Sequence, residues 1–253
     1  MAQIIAITNQ KGGVGKTTTA AALTAGLTDK GHRVLGIDLD PQGNLGFSLG
    51  VDIENGRTAY DILKSREFIL PAIRHTAYGD VIASNILLSS AELELNHSGR
   101  EYLLKAAVDD VRHMYDFIII DTPPALNILT VNAYVCADSL IIPMIPEILS
   151  LLGISQLKET IDTVRKYYNN HLRILGVLLT KFNKRLKLTR EVEEMTTEIA
   201  LQLGTVVLDE RIRTSIAVAE APAHAESIMR YAPRANATQD YMSLINKISE
   251  GVL

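Results

Sequence analysis

At 253 residues, with 47% apolar and 21% charged side chains, the chain can bury a sizeable core and has the balance of an ordinary globular domain, which excludes a disordered, collagenous or low-complexity protein. Its single cysteine, Cys136, can close no internal disulfide and can supply neither a zinc ribbon nor a self-contained iron–sulfur site, so a reducing, cytoplasmic setting is expected. The net charge of −4 excludes a surface that is basic everywhere and leaves room for a local cationic patch.

The opening residues, MAQIIAITNQ, carry no basic leader and no small-residue cleavage pattern, so no secretory signal is expected. Strands are expected at Ile4–Thr8, Val34–Asp38, Phe117–Asp121, Ser139–Pro143, Ile174–Thr180 and Val206–Leu208. Several are apolar at nearly every position, the pattern of a parallel sheet covered on both faces. Helical patterns lie between and after them at Lys16–Lys30, Arg100–His113, Leu126–Cys136, Leu151–Tyr168, Thr189–Leu203 and Ala237–Ser249. The middle of the chain adds a short helix near Thr58–Lys64, a candidate strand at Val81–Ala83 and a helical stretch at Ser90–Leu95. The long apolar region from Phe117 to Ile154 is broken by Asp121, Asp138, Glu147 and four prolines, so it does not read as a membrane span. With no internal repeat and no linker-like composition, the expectation is one α/β domain: a doubly wound, mostly parallel sheet flanked by helices.

The segment Ile4–Thr19, IIAITNQKGGVGKTTT, runs from strand through a glycine cluster into a helix. Gly12, Gly13 and Gly15 let main-chain N–H groups crowd round a polyanion, with Val14 between them, and the helix beginning near Lys16 adds its positive end. Lys16 is placed to reach the β- and γ-phosphates of ATP, Thr17 to complete a Mg²⁺ shell, and Thr18 to touch the α-phosphate. The strict G-x-x-x-x-G-K-[ST] spacing fails only at Gln10, where a glycine is expected. Two carboxylates follow in VLGIDLDPQGN, Asp38 and Asp40, and a third strand, FIIID, ends at Asp121 before Thr-Pro-Pro. At the ends of parallel strands these carboxylates face the crevice where open α/β sheets bind ligands.

KGGVGKT, with its additional lysine Lys11, resembles the deviant Walker A loop of the ParA/MinD family of P-loop ATPases, and the D-x-P-P sequence of Asp121, Pro123 and Pro124 is similar to that family's Walker B ending. IASNILLSSAELEL (Ile82–Leu95), VAEAP (Val218–Pro222) and LTKFN (Leu179–Asn183) extend the resemblance over nearly the whole chain. The resemblance implies a P-loop fold and slow, Mg-dependent ATP hydrolysis by a homodimer. Lys11 would reach the nucleotide of the other subunit, Lys16 would hold the phosphates, and Asp40 would position the attacking water. Thr17, Asp38, Asp40 and Asp121 would serve the magnesium, and Asn183 would read the adenine.

Within the family, the chain most resembles the ParA/Soj partition ATPases, which implies non-specific DNA binding, a ParB-like stimulating partner and a place on the nucleoid. KFNKRLKLTR supplies Lys181, Lys184, Arg185, Lys187 and Arg190 as candidate DNA contacts, with Arg213, Arg211, Arg230 and Arg234 joining them if the loops converge. Relatives often carry an arginine just before E-A-P, where Ala217 and Val218 stand here. A MinD-like membrane-associated ATPase and a nucleotide-gated switch with little turnover remain alternatives. The C-terminal stretch from Tyr241, poor in cations, reads as a helix packed on the domain, so no membrane partner is expected. Because no helix-turn-helix precedes the first strand, operator binding is not expected either.

Overall fold

The computed structural model describes residues 1–146, 153–183 and 189–253. Eight strands, β1 (Gln3–Ile7), β2 (Val34–Asp38), β3 (Ile73–Thr76), β4 (Gly79–Ile82), β5 (Phe117–Asp121), β6 (Ser139–Met144), β7 (Arg173–Phe182) and β8 (Val207–Arg213), form one sheet in the order β3-β4-β2-β5-β1-β6-β7-β8. All neighbours are parallel except β3, which pairs antiparallel with β4 at the edge. The chain builds outward from β1 first to one side and then, after β5, to the other. That reversal opens a crevice at the carboxyl ends of the central strands.

Successive residues of the central strands enter different cores, which is why those strands are apolar throughout. Ile4 and Ala6 of β1, Ile118 and Ile120 of β5, and Leu140 and Ile142 of β6 join one cluster. Ile5, Ile7, Ile119 and Ile141 join the other. The first cluster is covered by helices that include α3 (Ala59–Lys64), α6 (Leu103–Val111), α7 (Ile128–Cys136) and α8 (Ile154–Tyr167). On the opposite face lie α1 (Lys16–Asp29), α2 (Asn44–Ser48), α11 (Ile228–Tyr231) and the last helix, α12 (Asn236–Ser249). The remaining helices are α4 (Ile69–Ala72), α5 (Ala91–Glu94), α9 (Thr189–Gln202) and α10 (Ala217–Glu220).

Several boundaries differ from the sequence expectation for local reasons. Helix α7 starts at Ile128 and not Leu126, because the Asn127 side chain accepts from Leu129 N and Thr130 N and so caps it. The 100–113 stretch is a 3₁₀ turn, then α6, then a second 3₁₀ turn. Strand β8 continues past Leu208 to Arg213, because Asp209–Arg213 alternates in burial with Glu210 and Ile212 facing inward. The expected start of α8 at Leu151 lies outside the described residues. The C-terminal helix packs on the domain: Tyr241, Leu244, Ile245 and Ile248 are buried, and Thr19 Oγ1 and Tyr241 OH, 3.2 Å apart, link α12 to α1. Among the described residues no helix is long and apolar enough to cross a membrane.

Candidate nucleotide site

Strand register decides what meets at the crevice. Ile7 is level with Asp121, and Asp121 with Asp38, so the start of the glycine loop and two carboxylates fall on one line across β1, β5 and β2. The loop leaves β1 through Thr8 and Asn9 and enters α1 at Gly15. Gly13 has φ 73° and Gly15 φ 88°, left-handed values that side chains with a Cβ rarely adopt. Gln10, at the position of the expected first glycine, is not among the positive-φ residues, so the backbone there has no need of glycine. Gly12 and Gly13 are exposed, with nothing within 4 Å of their Cβ positions.

Lys16 is 7% exposed, and its ammonium contacts Lys11 O at 3.3 Å. Burial lowers its pKa, while the negative charges of Asp121 and then Asp40 oppose that shift. The charge is therefore held beside the loop by carboxylates and lacks full solvation, a state that an arriving polyphosphate would relieve.

The acidic residues divide by environment. Asp38 is fully buried and accepts from Asp40 N (2.9 Å), Leu45 N (2.9 Å) and Gly46 N (3.4 Å). Burial pushes its pKa up to about 7 against those N–H groups. Its carboxylate thus shapes the turn that carries Asp40 and starts α2. Asp40 is 9% exposed, accepts from Gln42 N at 3.0 Å, and borders a cleft with Pro41, Ser89, Pro123 and Pro124. Asp121 is fully buried, and neither carboxylate oxygen has a hydrogen-bond partner of ordinary geometry. Burial and then Asp38 drive its pKa well up, against the nearby Thr17 hydroxyl and the Lys16 charge. Two orphaned oxygens beside a threonine at the head of α1 fit a hard cation. Among the described residues no three His, Cys, Asp or Glu side chains form a metal cluster of their own.

The sequence does not flag Asn9. It is 7% exposed, donates to Pro143 O at 2.7 Å and accepts from Lys11 N at 3.0 Å, tying the root of the loop to the end of β6. A polar residue directly after an apolar strand was its only signal. Asn183 stands just beyond β7, exposed, on the same edge of the sheet. Val218, Ala221 and Pro222 line a cleft of about 320 Å³ with Thr17, Thr18 and Phe47, which brings the V-A-E-A-P segment against the first turns of α1.

The register brings Lys181 at the end of β7 beside Arg211 and Arg213 of β8. Lys181 is exposed at the end of β7. Lys184, Arg185 and Lys187 lie outside the described residues, as does the side chain of Arg190. Arg213 forks onto Asp240, with Nη2 at 2.6 Å from Oδ1 and Nε at 2.9 Å from Oδ2, and so fastens β8 to α12. Arg230 pairs with Asp29 at the far end of α1, about 20 Å of helix from the glycine loop.

A profile of the AAA_31 family, an AAA domain, matches residues 2–174. The sporulation initiation inhibitor protein Soj of Bacillus subtilis is 42% identical over 98% of this chain and 99% of its own length. The chain belongs to the ParA/Soj family of P-loop ATPases. The chromosome partitioning protein ParA of Caulobacter vibrioides is 38% identical over 97% of this chain and 93% of its own. Among solved structures, cobyrinic acid a,c-diamide synthase from Mycobacterium smegmatis, with bound ATP analog and magnesium, superposes with TM-score 0.85 at 32% identity, covering 98% of this chain and 94% of that one. The septum site-determining protein MinD of Pyrococcus horikoshii shares the fold, with TM-score 0.80 at 23% identity over 100% and 98% of the two chains. The doubly wound sheet with its glycine loop after β1 is thus the ParA/Soj fold.

Proposed function

We propose that this ParA/Soj-family member is a Mg²⁺-dependent ATPase of chromosome partition whose ATP-bound homodimer binds DNA without sequence preference and is stimulated by a ParB-like partner. The reading is carried by the start of the glycine loop lying level with the orphaned Asp121 carboxylate, on whose charge the buried Lys16 draws. The Soj and ParA relatives support partition as the purpose, and the ATP analog and magnesium in the Mycobacterium smegmatis structure support the cofactors.

In this reading the N–H groups of Gly12, Gly13, Val14 and Gly15 cradle the phosphates and Lys16 neutralises them, giving up its contact with Lys11 O. Thr17 and Asp121, with Asp40 and the Asp38 turn behind them, would hold magnesium, which supplies charge stabilisation on the phosphate oxygens. Thr18 contacts the α-phosphate and Asn183 the base. Asp40 orients water for attack on the γ-phosphorus and accepts its proton. The bond from the γ-phosphorus to the bridging oxygen breaks, leaving ADP and phosphate. Lys11 of the second subunit adds a cation to the developing charge, in the manner of an arginine finger. DNA phosphates are met by the cations between Lys181 and Arg190 on a nucleoid-associated cytoplasmic protein. The alternative of membrane attachment through the C-terminal helix is disfavoured because the apolar face of α12 is spent on the core.

A DNA-binding titration with ATP, ADP or no nucleotide, on wild-type and Asp40→Ala protein, tests this. Binding confined to ATP, and prolonged by Asp40→Ala together with loss of phosphate release, is expected. DNA binding that ignores the nucleotide would remove the partition cycle.

A further inference from the structure

Thr180, near the end of β7, is 2% exposed, with its hydroxyl 2.8 Å from Val14 O and 3.3 Å from Met144 O. The strand is irregular at this point. Leu179 pairs with Arg211 and Phe182 with Arg213, so Thr180 and Lys181 together stand opposite the single residue Ile212. Inside this bulge Lys181 takes φ 49°, a left-handed conformation costly for a side chain with a Cβ. Bulges bend a strand and re-aim its side chains, and they gather beside functional sites. Here the bulge begins at the residue that touches the phosphate loop.

We propose that Thr180 is a positioning residue for the phosphate loop, aiming the Gly15 N–H at the nucleotide by holding the Val14 carbonyl against β7. The inference rests on the nucleotide-binding reading above. A trans peptide is planar, and its C=O and N–H point to opposite sides. With Val14 O fixed toward β7, the N–H of the same peptide, which belongs to Gly15, is turned away from β7 toward the open side of the loop. The Thr180 side chain also sets the room at the loop: a Cβ added at Gly15 would lie 3.7 Å from its Cγ2. A loop with glycines at 12, 13 and 15 has little backbone stiffness of its own, so a donor anchored in the sheet fixes one peptide orientation before the ligand arrives. Asn9 ties the root of the loop to β6, and Thr180 ties its crest to β7. Thr180 touches no substrate; it acts through the 14–15 peptide.

Thr180→Val keeps the shape and removes the donor, and Thr180→Ser keeps the donor and removes the methyl. Affinity for Mg-ATP is read by titration calorimetry, alongside thermal melting without nucleotide. Thr180→Val is expected to bind about tenfold more weakly, the scale of one lost hydrogen bond, and Thr180→Ser to return to within about threefold of wild type. Wild-type affinity in Thr180→Val overturns the proposal. Equal weakening in Thr180→Ser also overturns it, because packing and not donation would then hold the loop. Should the valine variant not fold, Thr180→Cys, with its poor donor, takes its place in the same comparison. Failure of the wild-type protein to take up Mg-ATP would instead remove the nucleotide reading itself.

Discussion

The neighbouring carboxyls of Asp38 and Asp121 set a pH dependence whose sign follows from burial. Both are fully buried on adjacent strands, with pKa values pushed up by burial, to about 7 for Asp38 and well up for Asp121. The native protein therefore retains protons that the unfolded chain has released above about pH 4. The contribution of these groups to stability is greatest below that pH and is lost as pH rises toward their folded pKa values. Asp121→Asn removes a buried titrating group whose oxygens accept no hydrogen bond of ordinary geometry. Without nucleotide, the variant is expected to be more stable than wild type at pH 8 by about 1–3 kcal/mol, and the gap is expected to shrink at pH 5. The same variant should lose the thermal stabilisation that Mg-ATP gives. Melting curves at the two pH values, with and without Mg-ATP, check both statements, and an equal gap at both would refute the charge account. The positions of the three aspartates were legible in the sequence, because each closes or follows an apolar strand. Their division of labour was not. That Asp38 spends its oxygens on three N–H groups while Asp121 has none depends on how the chain turns after β2, which no strand pattern encodes.

That turn makes a prediction at the level of the element. Gly43 precedes α2 at φ 67°, and a Cβ there would lie 2.7 Å from the backbone oxygen of Ser84, which cannot swing aside. Gly43→Ala is expected to cost about 2 kcal/mol or more and to lower ATP turnover, since Leu45 N and Gly46 N would leave Asp38 and carry Asp40 with them. Gly31→Ala is the matched control. Its φ is 90°, but nothing lies within 4 Å of its Cβ position, so it should lose about 1 kcal/mol through the backbone alone and keep turnover. Urea denaturation and phosphate release on both variants separate the two costs, and equal effects would remove the role given to the turn. Interior elements such as β1, β2, β5 and β6 were readable because burial on both faces leaves an unbroken apolar run. The edge strand β3 was not readable: Ile73–Thr76 has a single apolar residue, follows Pro71 and earns its place only by pairing with β4.

For the molecule as a whole, net charge and local charge point in opposite directions. A chain of net charge −4 is repelled by DNA at long range, so the proposed DNA binding requires a concentrated patch, and five cations fall from Lys181 to Arg190. Each phosphate neutralised contributes about −0.9 to the slope of log affinity against log salt. Reversing Lys184 and Arg185 together to Glu should therefore weaken ATP-dependent DNA binding and reduce the magnitude of that slope by about 2, while basal ATP hydrolysis without DNA stays near wild type. Arg213→Ala provides the contrast. Its guanidinium is already paired with Asp240, so its removal exposes a carboxylate and unfastens β8 from α12. That variant should melt earlier with the salt slope nearly unchanged. If instead Arg213→Ala flattens the slope and the double reversal does not, the DNA surface belongs to β8 and α12 and not to the cations from Lys181 to Arg190.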